Sequence, residues 1–367
     1  MSRTVSLIAA GLAIGFLALL LAAGGNPPNM GVCVACFLRD TAGALRLHAA
    51  APVQYLRPEI PGFVLGAFGA ALATREFKPS AGSAPFLRLV LGFFMMAGCL
   101  VFLGCPLRMA LRIAGGDFNA LVGLCGFAIG VGLGVFFLRR NFALSPRTPQ
   151  TGGEGLGFPL FALALLTLFF FRNELFAASA QGPGSLRAPA WLALAGGLAI
   201  GAIVERTRFC FIGMISHIFL FRQFSMLFGV AALTLAVFAG NLAQDQVRFG
   251  FEGQPIAHAD ALWNFLGMTL VGLCGALLGG CPLRQVVGAG QGNSDAAMTV
   301  IGMLLGAAAA HDFALASSAA GPTAGGKNIV VVGLIVALAV GLIHSAGSRR
   351  PATLPSSGAD SSFDPRP

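Results

Sequence analysis

The chain has 367 residues, of which 56% are hydrophobic and only 10% are charged, and its formal net charge is +9. Soluble domains carry about 25% charged residues, so this composition excludes a soluble globular protein and indicates an integral membrane protein. Lysine occurs only at Lys78 and Lys327, which leaves arginine as nearly all of the basic charge. Arginines in loops act as topology signals and those in apolar segments are usually functional, so the net charge does not indicate nucleic-acid binding.

Apolar stretches long enough to cross a bilayer recur along the chain. A membrane-spanning helix needs about 17–25 predominantly apolar residues. We therefore predict an all-α integral membrane protein with about ten transmembrane helices. The predicted crossings are 5–23, 60–74, 85–104, 118–138, 156–171, 189–205, 224–243, 262–280, 296–311 and 328–346.

Two further apolar segments are too short and too polar for ordinary crossings. One is 31–50, which contains Cys33, Cys36 and Arg39, and the other is 207–222. Irregular backbone at membrane depth is tolerated only where it is buried in protein or lines a cavity. We therefore predict re-entrant or broken helices at both places.

An exact repeat indicates that the chain consists of two related halves. The motif Gly-Cys-Pro-Leu-Arg occurs at 104–108 and again at 280–284, and the offset between its cysteines is 281 − 105 = 176 residues. We predict a first membrane repeat at 1–144 and a second at 189–346. A linker with a connecting transmembrane helix, 145–188, joins them, and a disordered tail, 347–367, follows.

The repeated motif can form an anion site. Proline disfavours helix at the residue before it and is itself favoured in the first turn, so we expect a helix to break at Cys105 and at Cys281. Each thiol would then lie at a helix N-terminus, where the dipole favours anions and a lowered thiol pKa. Arg108 and Arg284 add a permanent fork of donors beside it.

Loop charge predicts the orientation of the two halves. Basic residues stay on the cytoplasmic side, and the loop 75–88 carries three of them, whereas 244–261 has three acidic residues and one arginine. We therefore predict that the hairpin 85–138 opens to the cytoplasm and the hairpin 262–311 outward, with both termini cytoplasmic. Such inverted-topology repeats place the binding site near the midplane, so the two Cys-Pro-Leu-Arg turns are expected to approach each other there.

The remaining cysteines leave alternatives open. Cys36 aligns with Cys210 at an offset of 174, and Cys33 precedes Cys36 in a Cys-x-x-Cys pattern. That pattern is a redox or metal signal in other settings, but further metal ligands are lacking nearby, so we predict no metal site, while dithiol redox chemistry stays open. For three other cysteines, Cys99, Cys125 and Cys274, we predict packing in the core and no role in the site.

Two acidic residues follow the motifs, Asp117 after the first and Asp295 after the second. An acidic side chain at a helix start can cap the free backbone amides, or it can neutralise a nearby arginine. We expect both to act in one of these structural ways.

With these motifs the chain resembles the YeeE/YedE family of sulfur-compound transporters, and within it the YedE branch of selenium transporters. The resemblance is carried by 30–40, both Gly-Cys-Pro-Leu-Arg turns and 205–210, and it covers roughly 5–346. It implies a pseudo-symmetric helical fold in which the anion passes between central cysteines without covalent capture. Cys105 and Cys281 match those cysteines, and Cys36 matches a further one near the entrance, with Cys210 its partner.

We therefore expect an inner-membrane importer of a small selenium- or sulfur-containing anion. The expected path residues are Cys105, Cys281, Cys36, Cys210, Cys33, Arg108, Arg284 and Arg39. No enzymatic activity and no cofactor are predicted. The anticipated partners are the anion, the bilayer and a small cytoplasmic sulfur or selenium carrier protein. Two alternatives are a membrane thiol oxidoreductase using Cys33 and Cys36 with quinone, and a membrane scaffold for the carrier.

Overall fold

A computed structural model describes residues 2–144 and 148–347, and these residues are mainly helical. The predicted tail lies outside the described residues from 348 onward. Its first predicted residue, Gly347, instead ends a helix. Part of the predicted linker, 145–147, also lies outside the described residues.

The long helices follow the predicted crossings closely. They are α1 (Arg3–Ala23), α3 (Glu59–Ala73), α4 (Pro85–Phe102), α6 (Phe118–Arg139), α7 (Gly152–Phe171), α8 (Ala190–Thr207), α10 (Ser225–Ala243), α11 (Ala261–Leu278), α13 (Ser294–Asp312) and α14 (Ala324–Gly347). Between them lie four short helices, α2 (Val34–Ala44), α5 (Pro106–Ala114), α9 (Phe211–Phe221) and α12 (Pro282–Gly290). The predicted irregular segments 31–50 and 207–222 thus each contain one short helix.

Eight helical segments in the described part of the chain are long and apolar enough to cross a membrane. The protein is therefore a multi-pass membrane protein. The helix α3 is short for a crossing, with 15 residues, and α8 is not among the eight. The predicted number of ten crossings stays a prediction.

The two motif-bearing segments form the centre of the bundle. Pro85–Ala114, which joins α4 and α5, and Ala261–Gly290, which joins α11 and α12, are each 72% buried within the protein, whereas the other six segments are at most 50% buried. The helices at the periphery expose apolar side chains such as Phe161, Phe171 and Leu235, as a lipid-facing surface requires.

The two halves of the chain pack against each other helix by helix. The most extensive helix pairs are α1 with α10, α3 with α8, α4 with α13 and α6 with α11. When α1, α3, α4 and α6 are matched in order with α8, α10, α11 and α13, the pair α1–α10 corresponds to the pair α8–α3. In the same way, the pair α4–α13 corresponds to the pair α11–α6. Neither half therefore encloses a core of its own.

Glycines allow the paired helices to touch backbone to backbone. A Cβ added at Gly66 would lie 2.1 Å from the carbonyl oxygen of Leu198 where α3 meets α8, and one at Gly130 would lie 2.0 Å from that of Thr269 where α6 meets α11. Small residues at such crossings are what drives helix association in membranes, where burial of apolar surface gains little.

A matched glycine pair in α3 tests this packing. We expect Gly66→Ala to lower stability by roughly 1–3 kcal/mol, because overpacking forces the two backbones apart. In contrast, Gly69 has open space at its Cβ position, so Gly69→Ala should leave stability unchanged or raise it slightly. Thermal unfolding of both variants in detergent measures the difference, and equal effects would rule out the backbone contact as the cause.

Candidate functional site

Four cysteines occupy the N-cap positions of the four short helices. They are Cys33 for α2, Cys105 for α5, Cys210 for α9 and Cys281 for α12. Proline at the first position of α5 and of α12 follows the cysteine directly. The predicted helix breaks at Cys105 and Cys281 are thus confirmed. A cysteine N-cap that is not followed by proline occurs at Cys33 and Cys210, where no cap was predicted.

Three thiols of the first half form one buried group. Cys33 Sγ donates to Cys36 Sγ across 2.7 Å and accepts the backbone N–H of Cys36 at 3.3 Å. The Cys105 thiol lies within interaction range of the Cys33 thiol. The three side chains are at most 1% exposed, and we call them the first thiol group.

Two thiols of the second half form a smaller group. The Cys210 thiol lies within interaction range of that of Cys281, as the Cys33 thiol does of that of Cys105. We call this pair the second thiol group. The expected approach of Cys105 and Cys281 to each other stays a prediction.

Counted from the helix caps, Cys210 occupies the position of Cys33, whereas the sequence alignment paired it with Cys36. Both Cys33 and Cys210 cap a helix of 11 residues, and both lie near the cysteine of a Cys-Pro turn. Counted from the caps, Cys36 corresponds to Gly213. The first group therefore contains one thiol that the second lacks.

The guanidinium of Arg108 lies fully buried beside the first thiol group. It donates to the backbone carbonyls of Asn29, Pro255 and Ile256 at 3.2–3.3 Å, and also to that of Leu103. A fifth contact joins its Nη1 to Cys36 Sγ at 3.7 Å. Among the ion pairs of the described residues, none joins Arg108 to a carboxylate. A buried cation of this kind attracts an anion.

A neighbouring network holds Arg39 in α2. Asp40 binds Arg39 at 2.7 Å through one carboxylate oxygen and Arg57 at 2.8 Å through the other. Arg57 also stacks over the ring of Phe37, 4.9 Å from its centroid. The network is almost inaccessible, since Arg39 is 4% exposed and the other two charged side chains are fully buried.

Two acidic residues predicted to be structural are confirmed in that role. Asp117 binds Arg112 at 2.7 Å and caps α6 by accepting the backbone N–H of Asn119. Asp295 binds Arg88 at 3.0 Å. Neither acid is free to bind a metal or a substrate.

The second arginine of the repeat has different surroundings from the first. Arg284 lies 3.6 Å from the carboxylate of Glu205 and donates to Gln291 at 3.0 Å. Its side chain is 18% exposed, whereas that of Glu205 is fully buried. The same carboxylate contacts Arg208 at 3.5 Å. Glu205 is not among the predicted site residues, because a glutamate three residues before an arginine also fits an ordinary helix-surface pair.

A cavity of about 490 Å³ approaches the first thiol group from one side. It is lined by Arg39, His311, Leu103 and Ile256, among others. The carbonyls of Leu103 and Ile256 accept hydrogen bonds from Arg108. A single layer of residues therefore separates the cavity from the buried guanidinium of Arg108.

A loop histidine, His48, lies close to one of the residues that line this cavity, His311. His48 lies in the loop after α2, with its ring 4.7 Å from that of His311 and its Nε2 3.1 Å from the carbonyl of Arg39. Burial lowers the pKa of His48, so near neutral pH its ring is uncharged.

Two cavities approach the second thiol group. One, of about 320 Å³, is polar and includes Lys78, Arg208 and Arg284 in its lining. The other, of about 270 Å³, is lined by Cys210 as well as by the same two arginines. The second group is thus reached through a cationic vestibule.

The other cysteines divide into buried and exposed ones. Cys99 and Cys274 are fully buried in α4 and α11, as the core interpretation predicted, whereas Cys125 lies on an exposed face of α6. The prediction of core packing was therefore wrong for Cys125. In the described part of the chain no group of three His, Cys, Asp or Glu side chains could hold a metal ion.

Cysteines, cations and cavities of this kind suit a small soft anion, and the comparison with protein families agrees. Residues 206–348 match the family model described as sulphur transport. The matched segment contains Cys210, Cys281 and Arg284. The match covers less than half of the chain. No curated protein matches the chain.

The structure therefore brings the predicted site residues together in two places. Arg39 and Arg108 lie beside the first thiol group, which consists of Cys33, Cys36 and Cys105. Arg284 lies beside the second, which consists of Cys210 and Cys281. Sequence reasoning missed the carboxylate that faces the second arginine. It also missed the role of Arg57, which lies between two predicted elements and carries no local pattern.

Two ion pairs, one buried and one exposed, test whether buried ion pairs stabilise the fold around the site. We expect Asp117→Asn to destabilise the protein by about 3–5 kcal/mol, because it leaves the buried Arg112 without a counter-charge. The exposed pair between Arg172 and Glu174 provides the control, since both side chains are more than half exposed and Glu174→Gln should change stability by at most about 1 kcal/mol. Thermal unfolding in detergent measures both, and a small effect of Asp117→Asn would contradict a structural role for the pair.

Proposed function

We propose that the protein is an inner-membrane transporter that imports a small selenium- or sulfur-containing anion along a path lined by the two thiol groups. The match of residues 206–348 to the sulphur-transport family model supports a sulfur-compound transporter. The observation that carries the proposal for this chain is Arg108, a fully buried cation that contacts a thiol and backbone carbonyls. Such a charge is rare within a membrane and usually marks a substrate or ion pathway.

The proposed path connects cavities on two sides of the protein. An anion enters the cavity lined by Arg39, passes Arg108 and the first thiol group, reaches the second thiol group and leaves past Arg284. Arg39 and Arg284 each line a cavity, which supports an opening at either end. Contacts that are individually weak and arranged in series let an ion leave as well as enter.

Contacts of the two motif hairpins support the inverted arrangement that this path requires. After α5, the N–H of Phe118 donates to the carbonyl of Gly250 at 3.1 Å, in a loop predicted to be outside. After α12, the carbonyl of Gly292 accepts the N–H of Ser80 at 3.2 Å, in a loop predicted to be cytoplasmic. Equivalent turns therefore meet loops of opposite predicted location.

Thiols favour sulfur and selenium over harder anions. A thiol is a weak hydrogen-bond donor with a polarizable sulfur, so it gains more from contact with a soft chalcogen atom than from a fully oxygenated anion. The arginines supply the long-range attraction, and the thiols supply the selectivity. Delivery to a small cytoplasmic carrier protein completes the proposed role.

A second candidate is a membrane thiol oxidoreductase that uses Cys33 and Cys36 with quinone. The 2.7 Å separation of their sulfurs favours it, because a dithiol at this spacing is prepared to form a disulfide. Under this alternative, loss of Cys33 or Cys36 would abolish activity, and a disulfide between them would form during turnover.

Cysteine substitution distinguishes these functions. We expect Cys105→Ala and Cys281→Ala each to reduce uptake of labelled thiosulfate or selenite into proteoliposomes by roughly tenfold or more, since each removes a thiol from the path. The exposed Cys125 gives the control, and Cys125→Ala should transport at the wild-type rate.

Two results would contradict the transport proposal. One is full uptake by both path variants, which would favour a scaffold. The other is purified wild-type protein that moves neither anion while it forms a Cys33–Cys36 disulfide in the presence of a quinone, which would favour the oxidoreductase.

Arginine substitution tests the electrostatic part of the proposal. We expect Arg108→Gln to raise the KM for thiosulfate uptake by about tenfold or more, because the buried positive charge beside the first thiol group is lost. Arg206, which is about half exposed, provides the control, and Arg206→Gln should leave the KM within about twofold of wild type. An unchanged KM for a folded Arg108→Gln variant would remove this residue from the path.

A further inference from the structure

One carboxylate lies within the proposed path, and nothing above assigns it a role. Glu205 is at the end of α8 and is fully buried. Its Oε2 lies 3.6 Å from Arg284 Nη1 and 3.5 Å from Arg208 Nη1, and it also accepts a hydrogen bond from Gln291. A buried negative charge repels anions on their path, and ionisable residues buried in a membrane are usually functional.

The pairing between Glu205 and Arg284 is incomplete. Arg284 Nη1 and Glu205 Oε1 are both buried, and neither has a hydrogen-bond partner among the described residues. At 3.6 Å the two charges attract each other, but the distance exceeds the 2.7–2.9 Å of a charge-assisted hydrogen bond. The guanidinium therefore retains donor capacity for another anion.

The two repeated arginines differ in this respect. Arg108 donates to backbone carbonyls, which cannot compete for it as a charge. Arg284 faces a carboxylate. An anion that reaches Arg108 meets an uncompensated cation, whereas an anion that reaches Arg284 must displace Glu205 from it.

The surroundings allow such a displacement. Gln291 contacts both sides of the pair, because its amide N–H donates to Glu205 and its carbonyl accepts from Arg284. Arg208 offers Glu205 a second cation, and Arg208 is itself shared with Glu76 at 3.0 Å. Glu205 can therefore keep its ion pair with Arg208 while Arg284 binds an anion.

We propose that Glu205 is the release residue of the second site, where it competes with the transported anion for Arg284 and so keeps binding there weak. This inference rests on the transport function proposed above. When the anion occupies Arg284, the adjacent carboxylate repels it toward the cationic vestibule. After the anion has left, Glu205 again neutralises Arg284. The asymmetry between the two arginines thus makes the second site the weaker one, from which the anion leaves quickly.

Substitution of the buried glutamate tests the competition. The measurements are equilibrium binding of labelled thiosulfate to the purified full-length protein in detergent and thiosulfate uptake into proteoliposomes. We expect Glu205→Gln to bind thiosulfate about tenfold more tightly and to turn over several-fold more slowly, with KM and kcat both reduced. An anion that is no longer displaced leaves slowly.

The control is a carboxylate in the same vestibule. Glu76 also pairs with Arg208, but it is 44% exposed and no ion pair joins it to Arg284 in the described residues. Glu76→Gln removes the same charge and should leave thiosulfate affinity within about twofold of wild type. Glu205→Asp retains the charge on a shorter side chain, and its affinity should fall between wild type and Glu205→Gln. This variant decides the question if Glu205→Gln does not fold.

The outcomes separate this inference from the proposed function. If wild type binds and transports thiosulfate while the Glu205 variants bind it equally or more weakly, Glu205 is only a structural partner of Arg284, and the inference fails while the transport function stands. Tighter binding in Glu76→Gln as well would attribute the effect to vestibule charge in general and would also overturn it. A wild-type protein that neither binds nor transports thiosulfate or selenite would overturn both.

Discussion

The architecture of the site depends on one constraint, the burial of a guanidinium that no carboxylate of the described chain neutralises. Arg108 can remain at this depth because several backbone carbonyls accept its hydrogen bonds. Those carbonyls are available only because the chain leaves its helices around the site, at the αL residue Leu103 and in the loop containing Pro255 and Ile256. Broken helices are thus the means by which a membrane protein holds a positive charge with its full attraction for anions intact.

Thiols are the appropriate companions for such a charge. A carboxylate beside Arg108 would neutralise it, and a hydroxyl would offer a harder, stronger hydrogen bond. Cysteine at the N-cap supplies a weakly polar sulfur where the helix dipole also favours an anion. A cysteine is the N-cap of each of the four short helices, so under the proposed function each broken helix offers a contact to the same kind of ion.

The sequence predicted those parts of the structure that have a local cause. Apolar length located the long helices, and proline after cysteine located the breaks at Cys105 and Cys281. The equivalence of Cys33 with Cys210 could not be read in the same way, because residue matching favours the Cys-Phe dipeptide that includes Cys36, whereas the helix cap is set by backbone geometry. The pairing of Arg57 with Asp40 and that of Arg284 with Glu205 depend on segments distant in sequence, for which one sequence contains no signal.

The interleaving of the halves has a consequence for how the protein is made. The helices α1, α3, α4 and α6 find their main partners in α10, α8, α13 and α11, which are synthesised later. Until then, glycine-lined faces such as that around Gly66 meet only lipid. During translation the helices of the first half are therefore only loosely associated in the bilayer, and Arg108 acquires its contacts with Pro255 and Ile256 only after the loop before α11 has been synthesised.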